Sequence, residues 1–412
     1  MIIGQFCDTW PPQVDGVGRV TLSYCQTLTA LGHQTYYIAP QSPFPTEALG
    51  FPVILSASVK VPGELFRMGL PGLDFRYRKK LDEVPFDIVH AQSPFLAGAE
   101  ARRIAHKRNI PLVSTFHSKY YDDALAKTHS KALAKMVVSS IVDFYNHCDG
   151  VWTVNNATAE VLRQYGYRGR ILVMENGTDP EPLDARGQRL LNKRLTLLPE
   201  VPTLLFVGQH NWKKNIHGIL GACAILRERG VDFQLVTAGD GPDFEEIREE
   251  VIRLHLEDCT TMLGFMRDRG ELMALYHAAD LLVFPSLYDN APMVLREAAV
   301  MGTPGLVVAG SCSAEGIIDD YNGFISPGEG PEDIADTIQR ALPRTLHVGH
   351  YAKATIPVAW DKIMHRVVAE YERLIAEHPL QKMTLGDMVK KHSTPTRINL
   401  SIPPVSGKWR KP

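Results

Sequence analysis

The spacing of hydrophobic and polar residues divides the chain into short apolar runs separated by longer amphipathic stretches. Near-continuous apolar runs predict strands at 2–7, 35–39, 87–91, 111–116, 150–154 and 171–175. A second series predicts strands at 203–208, 233–239, 260–263, 281–286 and 305–310. Strands that are apolar throughout, rather than at alternate positions, suit a parallel sheet covered on both faces. Helical spacing occupies 17–31, 97–108, 129–147, 215–229, 243–255 and 290–301. The alternation of strands and helices predicts an α/β fold of doubly wound parallel sheets.

The alternation breaks once. Residues 178–202, TDPEPLDARGQRLLNKRLTLLPEVP, are polar and proline-rich with one short helical patch, and predict a linker. Each half begins again with a strand, which predicts two doubly wound domains facing across a cleft. Ligands of such sheets bind outside the strand carboxyl ends. After residue 331 the pattern is helical only. The last stretch, LGDMVKKHSTPTRINLSIPPVSGKWRKP, is basic and polar with several prolines, and predicts an extended or disordered tail.

Length and composition narrow the class. A chain of 412 residues is long for one core, and 45% apolar residues indicate a globular protein. A formal net charge of −2 gives no sign of nucleic-acid binding. The six cysteines (7, 25, 148, 223, 259 and 312) form no CxxC pair, so neither a zinc ribbon nor a disulfide framework is expected. They read as small buried hydrophobes in a reducing compartment, which predicts a cytoplasmic protein. No run approaches the ~20 apolar residues of a membrane span, and MIIGQF reads as a first strand rather than a signal peptide.

Four stretches carry candidate chemistry. In CDTWPPQVDGVGRVT, Gly16 and Gly18 open a helix, where backbone N–H groups can approach a phosphate. A dinucleotide fingerprint is disfavoured, because Thr21 replaces the third glycine and two prolines lengthen the loop; a plain turn with a helix cap fits equally. His90 and His117 end two strands, as structural groups or ligand contacts, whereas His347 and His350 read as surface. In VGQHNWKKNIHGIL, Lys213 and Lys214 precede a helix; they are either a solvated pair or the counter-charge of a diphosphate, and Lys214 is the nearer to the helix start.

The fourth stretch, FPSLYDNAPMVLREAAVMGTP, sets Asp289 before a helix and Glu297 within it. A carboxylate can grip vicinal hydroxyls, and the N–H groups of Asn290, Ala291 and Met293 could meet phosphates. Asp289 can equally cap the helix. Glu297, between Leu295 and Ala298–Ala299, needs partners if buried.

These stretches together resemble the retaining glycosyltransferases of family 4, with the GT-B fold, over about residues 1–375. Asp289 and Glu297 stand at the two acid positions of the family's E-x7-E motif, the first as Asp instead of Glu. VGQHNWKKN resembles the family's Gly-Arg…Lys stretch, with Gln209 in place of arginine, and AGDGPDFEEI and LGFMRDRGEL also match. The resemblance implies a transfer from a nucleotide-diphosphate-sugar donor to a hydroxyl acceptor, whether glycan, lipid or small molecule. It implies His117, Lys214 and Asp289 as catalytic groups. For the donor it implies Gly16, Gly18, Gln209, Lys214, Phe265, Met266, Asp289, Asn290, Ala291, Met293 and Glu297, with Phe265 and Met266 beside the nucleobase. Neither a metal nor a cofactor is expected, in keeping with the absence of any DxD.

The domains implied are 1–185, rejoined by a helix at about 358–378; 186–357, holding the donor; and a tail, 385–412. The basic residues Arg76, Arg78, Lys79 and Lys80, and those of the tail, are open to two readings: a solvated surface, or contact with the inner face of an anionic membrane carrying a lipid acceptor. Rival readings are another GT-B enzyme, such as a sugar-nucleotide epimerase or a sugar phosphorylase, and a non-catalytic nucleotide-sugar-binding protein.

Overall fold

The computed structural model describes residues 1–10, 16–41, 49–61, 67–179 and 182–381. The tail 385–412 and the PPQVD part of the first glycine loop lie outside the described residues. The chain divides into two compact units, Met1–Met174 with Val367–Pro412, and Glu175–Arg366. The division thus falls at 174/175 and inside the last helix, whereas the sequence reading placed it at 185/186 and 357/358.

Unit 1 runs β1 (Ile2–Phe6), α1 (Gly16–Ala30), β2 (Gln34–Pro40), β3 (Val53–Ser56), β4 (Ser58–Lys60), β5 (Arg67–Gly69), α2 (Phe75–Glu83), β6 (Ile88–Ala91), α3 (Leu96–Arg108), β7 (Leu112–Phe116), α4 (Tyr120–Thr128), α5 (Lys131–Asn146), β8 (Gly150–Thr153), α6 (Asn156–Gln164) and β9 (Leu172–Val173). Its seven-stranded parallel sheet has the order β3-β2-β1-β6-β7-β8-β9, and β4 and β5 form a separate antiparallel pair. Strands β6, β7 and β8 are buried at every residue, as parallel strands covered on both faces are. The short strands β3 to β5 and helices α2, α4 and α6 were not anticipated.

Unit 2 runs α7 (Ala185–Arg194), β10 (Thr203–Val207), α8 (Ile216–Glu228), β11 (Gln234–Ala238), α9 (Phe244–Arg253), β12 (Thr260–Met262), α10 (Arg269–Ala278), β13 (Leu281–Val283), α11 (Met293–Met301), β14 (Gly305–Val308), β15 (Phe324–Ser326), α12 (Pro331–Ala341), α13 (Thr345–Thr355) and the start of α14 (Trp360–Gln381), which ends in unit 1. Its six-stranded parallel sheet has the order β12-β11-β10-β13-β14-β15.

The expected linker, 178–202, falls wholly within unit 2. Helix α7 is capped by Asp184, whose carboxylate accepts from the N–H groups of Arg186 and Gly187, and it inserts Leu191 into the unit's core, followed by Leu195. It approaches α10 so closely that a Cβ on Gly187 would lie 2.2 Å from the Gly270 carbonyl carbon. Only glycine permits that approach. Arg194 bridges Glu271 at 3.0 Å across the same contact. The polar composition of 178–202 describes the outer face of a packed helix.

Candidate active site

The strand order of unit 2 reverses direction at β10, which pairs with β11 on one side and β13 on the other. The loops after β10 and β13 therefore leave the same sheet end in opposite senses, which opens a crevice between them. Lys214 lies in the first loop and Asp289 in the second.

The first loop is held by its own asparagines. Asn211 accepts from Lys213 N at 2.9 Å and opens a single 3-10 turn, Trp212–Lys214. Asn215, at φ 59°, accepts from Gly218 N to cap α8 and donates to the Glu329 carbonyl at 2.9 Å. Asparagine tolerates that left-handed geometry better than most residues. The Trp212 indole stacks on His217 with centroids 3.6 Å apart. Lys214 Nζ consequently reaches Asp289 Oδ1 at 2.5 Å, while Ser286 Oγ donates to Asp289 Oδ2 at 2.6 Å. Both lysines stand over the Tyr288 ring, Lys213 at 5.3 Å and Lys214 at 5.2 Å. Lys214 and Asp289 keep 14% and 20% of their side-chain surface, so the pair is open to a ligand.

Helix α11 begins at Met293, three residues later than expected, with Pro292 in the cap position and no side-chain cap. The residue before a proline is driven out of helical geometry, so the helix cannot run back through Ala291. Asp289 is therefore not the cap; its carboxylate is given to Lys214 and Ser286. Asn290 is buried, and Ala291 and Met293 are half-buried.

Glu297 is 4% exposed. Arg269 Nη1 lies 2.7 Å from its Oε1, and the Tyr276 hydroxyl donates to its Oε2 at 3.0 Å. Charge-assisted bonds of this kind offset the desolvation of a buried carboxylate. The GTP turn after the helix serves the same assembly. Gly302 ends α11 at φ 87°, and the Thr303 hydroxyl donates to the Tyr276 carbonyl at 2.5 Å. Arg269 and Tyr276 were missed from sequence. The burial of Glu297 demanded a cation, but Arg267, Arg269 and Arg296 all stood near enough in sequence to qualify. Arg296 instead donates to the Ile356 carbonyl at 3.2 Å.

Phe265 is 39% exposed, whereas Met266 is buried in the core of unit 2. Gln209 is half-buried and lends its carbonyl to Asn211 N at 2.9 Å. A cavity of about 300 Å³, lined by Gln188, Leu191, Leu195 and Ala278 among others, contains none of the residues singled out from sequence. Among the described residues, no group of three or more His, Cys, Asp or Glu side chains is placed to hold a metal ion.

Unit 1 sets a network of neutral groups around the ends of β6 and β7. His117, just past β7, is bonded through Nε2 to Gln92 Oε1 at 2.8 Å, and Gln92 Nε2 donates to Gln5 Oε1 at 2.9 Å. Gln5 Nε2 donates to the Tyr371 hydroxyl at 3.0 Å, which lies 2.6 Å from His90 Nδ1. His90 Nε2 lies 2.8 Å from Thr115 Oγ1. The chain of bonds is satisfied if His117 carries its proton on Nε2 and Tyr371 donates to His90. Burial pushes His117 down to about 4, and His90 well below the usual imidazole range, helped by the proximity of His117. Both are neutral near neutral pH. Gly16 opens α1 at the surface, and Gly18 is buried beneath the Tyr37 hydroxyl, which donates to its carbonyl at 3.3 Å.

The chain is similar to known proteins along most of its length. The family profile described as Glycosyl transferases group 1 matches residues 189–353, and Glycosyltransferase Family 4 matches 14–182. An alpha-monoglucosyldiacylglycerol synthase of Streptococcus pneumoniae is 24% identical over 97% of this chain and 90% of its own. A GDP-mannose-dependent alpha-mannosyltransferase of Corynebacterium glutamicum is 26% identical over 79% of this chain and 76% of its own. Among solved structures, Anabaena HepE in complex with UDP-glucose superposes with a TM-score of 0.72 at 18% identity, over 90% of this chain and 99% of that one. Sucrose-phosphate synthase from Thermosynechococcus elongatus gives 0.74 at 19% identity, over 91% and 99%.

Proposed function

The chain belongs to the family-4, group 1 glycosyltransferases of GT-B fold, and on that premise we propose that it is a retaining, metal-independent transferase that moves a sugar from a nucleoside diphosphate to a hydroxyl acceptor. One observation carries the reading. Two carboxylates eight residues apart are held in different ways, Asp289 by an accessible lysine and Glu297 by a buried arginine and tyrosine.

In this scheme unit 2 holds the donor. Glu297, fixed by Arg269, takes the ribose diol, a charge-assisted contact worth about 1.5–3 kcal/mol. The diphosphate lies between the two acids, against the uncapped start of α11 and the Lys214 ammonium. Asp289 receives the sugar hydroxyls once Lys214 turns to the phosphates. His117, neutral with its Nε2 proton given to Gln92, is suited to accept a hydrogen bond from an uncharged hydroxyl rather than to pair with an anion. The acceptor oxygen attacks the anomeric carbon on the face the diphosphate leaves. The bond from that carbon to the phosphate oxygen breaks, and the departing diphosphate takes the acceptor proton. Lys214 and the helix start stabilise the charge that develops on the leaving group, the kind of contact that supplies most of such a rate.

The relatives support nucleotide sugars as donors, since one is named for GDP-mannose and a structural neighbour holds UDP-glucose. The synthase matched over nearly its whole length is named for a glucosyl lipid, which favours a lipid hydroxyl among the acceptors. The test is a screen of UDP- and GDP-sugars against diacylglycerol, glycan and small-molecule acceptors, with the product anomer read by proton NMR. The scheme expects an axial product from an axial donor and full activity in excess EDTA. An inverted product, or activity lost in EDTA and restored by Mg²⁺, contradicts it. Epimerised donor without any acceptor product would select the epimerase reading.

A further inference from the structure

The exposed apolar side chains of the described residues are not scattered evenly. Leu73 and Phe75 are 76% and 83% exposed, two of the three most exposed large hydrophobics among them. They flank Asp74 where a 3-10 turn, Pro71–Leu73, enters α2. Val59 and Met68, cross-strand partners in the β4–β5 pair, add 41% and 44%. The hairpin and the helix are tied together, because Asp74 Oδ2 accepts from Ala57 N at 2.9 Å while its Oδ1 accepts from Tyr77 N to cap α2. The apolar tips are thus carried by one braced element of unit 1.

The charges on α2 divide by face. Tyr77 and Leu81 point into the unit, and the side chains beside them are paired: Arg78 bridges Glu100, and Asp82 takes Arg103 at 2.8 Å and Lys107 at 2.6 Å. The outer face carries Phe75, Arg76, Lys79 and Lys80, all exposed. Neither Lys79 nor Lys80 makes an ion pair with a described residue, and Lys60 of the hairpin is exposed too. A solvated surface needs no phenylalanine and leucine standing clear of the fold. An interface between copies of the chain would set these like charges against each other. Apolar tips beside unpaired cations instead suit a surface that is apolar below and anionic above, where lysine stems lie along lipid and their ammonium groups meet phosphates.

We propose that the β4–β5 hairpin and the start of α2 form a docking surface for an anionic phospholipid bilayer, with Leu73 and Phe75 entering the headgroup layer and Lys79 and Lys80 lying on it. Arg78, grouped with these residues from sequence, is turned inward to Glu100 and takes no part. The inference stands apart from the catalytic scheme, because none of these residues belongs to the donor site.

The test is co-sedimentation of the full chain with phosphatidylcholine vesicles, with and without phosphatidylglycerol, alongside calorimetry of UDP and GDP as a control of the fold and donor site. Wild type is expected to bind the anionic vesicles, and more weakly as salt rises. Lys79→Gln with Lys80→Gln should weaken that binding about twenty-five-fold, at about fivefold per charge near the surface. Leu73→Ser with Phe75→Ser should weaken it at least as much, and nucleotide binding and melting temperature should not move in either variant. Wild type that stays in solution overturns the proposal. So does binding that both double variants retain, which would assign membrane contact to another part of the chain. Self-association of wild type that Leu73→Ser with Phe75→Ser abolishes, without vesicle binding, would make the patch an interface between copies.

Discussion

The strand ends of the two units solve the same problem with different chemistry. Unit 2 buries or half-buries full charges, with Lys214 on Asp289 and Arg269 on Glu297. Unit 1 joins uncharged groups in series, from His117 through Gln92, Gln5 and Tyr371 to His90. Paired charges are costly to desolvate but can be re-partnered by an incoming anion. A neutral network satisfies itself and offers only hydrogen bonds. The contrast fits a division in which one unit meets a diphosphate and the other meets hydroxyls.

The comparison can be broken most severely at Arg269. Arg269→Gln strands a nearly buried carboxylate, and the loss of unit 2 stability should be about 3 kcal/mol, the lower end for a broken buried pair because Arg269 keeps 29% of its side-chain surface. Urea denaturation of the variant reads this, with UDP and GDP affinity falling alongside. An unchanged midpoint would show that Tyr276 alone suffices.

Acid acts on unit 1 in the same sense as on a paired carboxylate, by adding protons that the folded state disfavours. His117 is held near 4, whereas an unfolded histidine titrates near 6.5. Between those values the unfolded chain binds more protons, so stability is complete above the upper value and falls as pH drops toward the lower one, by on the order of 3 kcal/mol. His90 acts in the same direction. Melting temperatures across that range should fall with acid, and His117→Gln should flatten the slope. A variant with the wild-type slope would remove His117 from the buried network's acid response.

The sequence announced both sheets because buried parallel strands are written as unbroken apolar runs, and β10, β13 and β14 are buried throughout. Strands β4 and β5 have exposed residues and leave no such run, so they were illegible. Lys214, Asp289 and Glu297 could be singled out by motif spacing. Their partners could not be, because Arg269 and Glu297 meet only once α10 and α11 pack, and Gln5 meets Tyr371 across most of the chain. The polar face of α7 concealed Leu191, and one buried leucine per turn is a weak signal against a polar, proline-bearing stretch.

The smallest expected change sharpens the charged side of the contrast. Gln209→Arg would set a planar, permanently charged fork in the loop of Lys214, and should tighten UDP or GDP by about 1 kcal/mol. Turnover need not rise, since tighter ground-state binding adds nothing to the chemical step. Calorimetry on this variant, with and without Lys213→Ala, shows whether the exposed Lys213 already supplies the second cation.

The central claim, that the donor diphosphate lies against Lys214, is tested most directly by titrating UDP, GDP and their parent nucleosides into wild type and Lys214→Met. The account predicts that the variant binds the diphosphates about tenfold or more weakly, as the loss of a charged hydrogen bond requires, while nucleoside affinity is kept. Equal diphosphate affinity in the two proteins would contradict it and move the donor away from this loop.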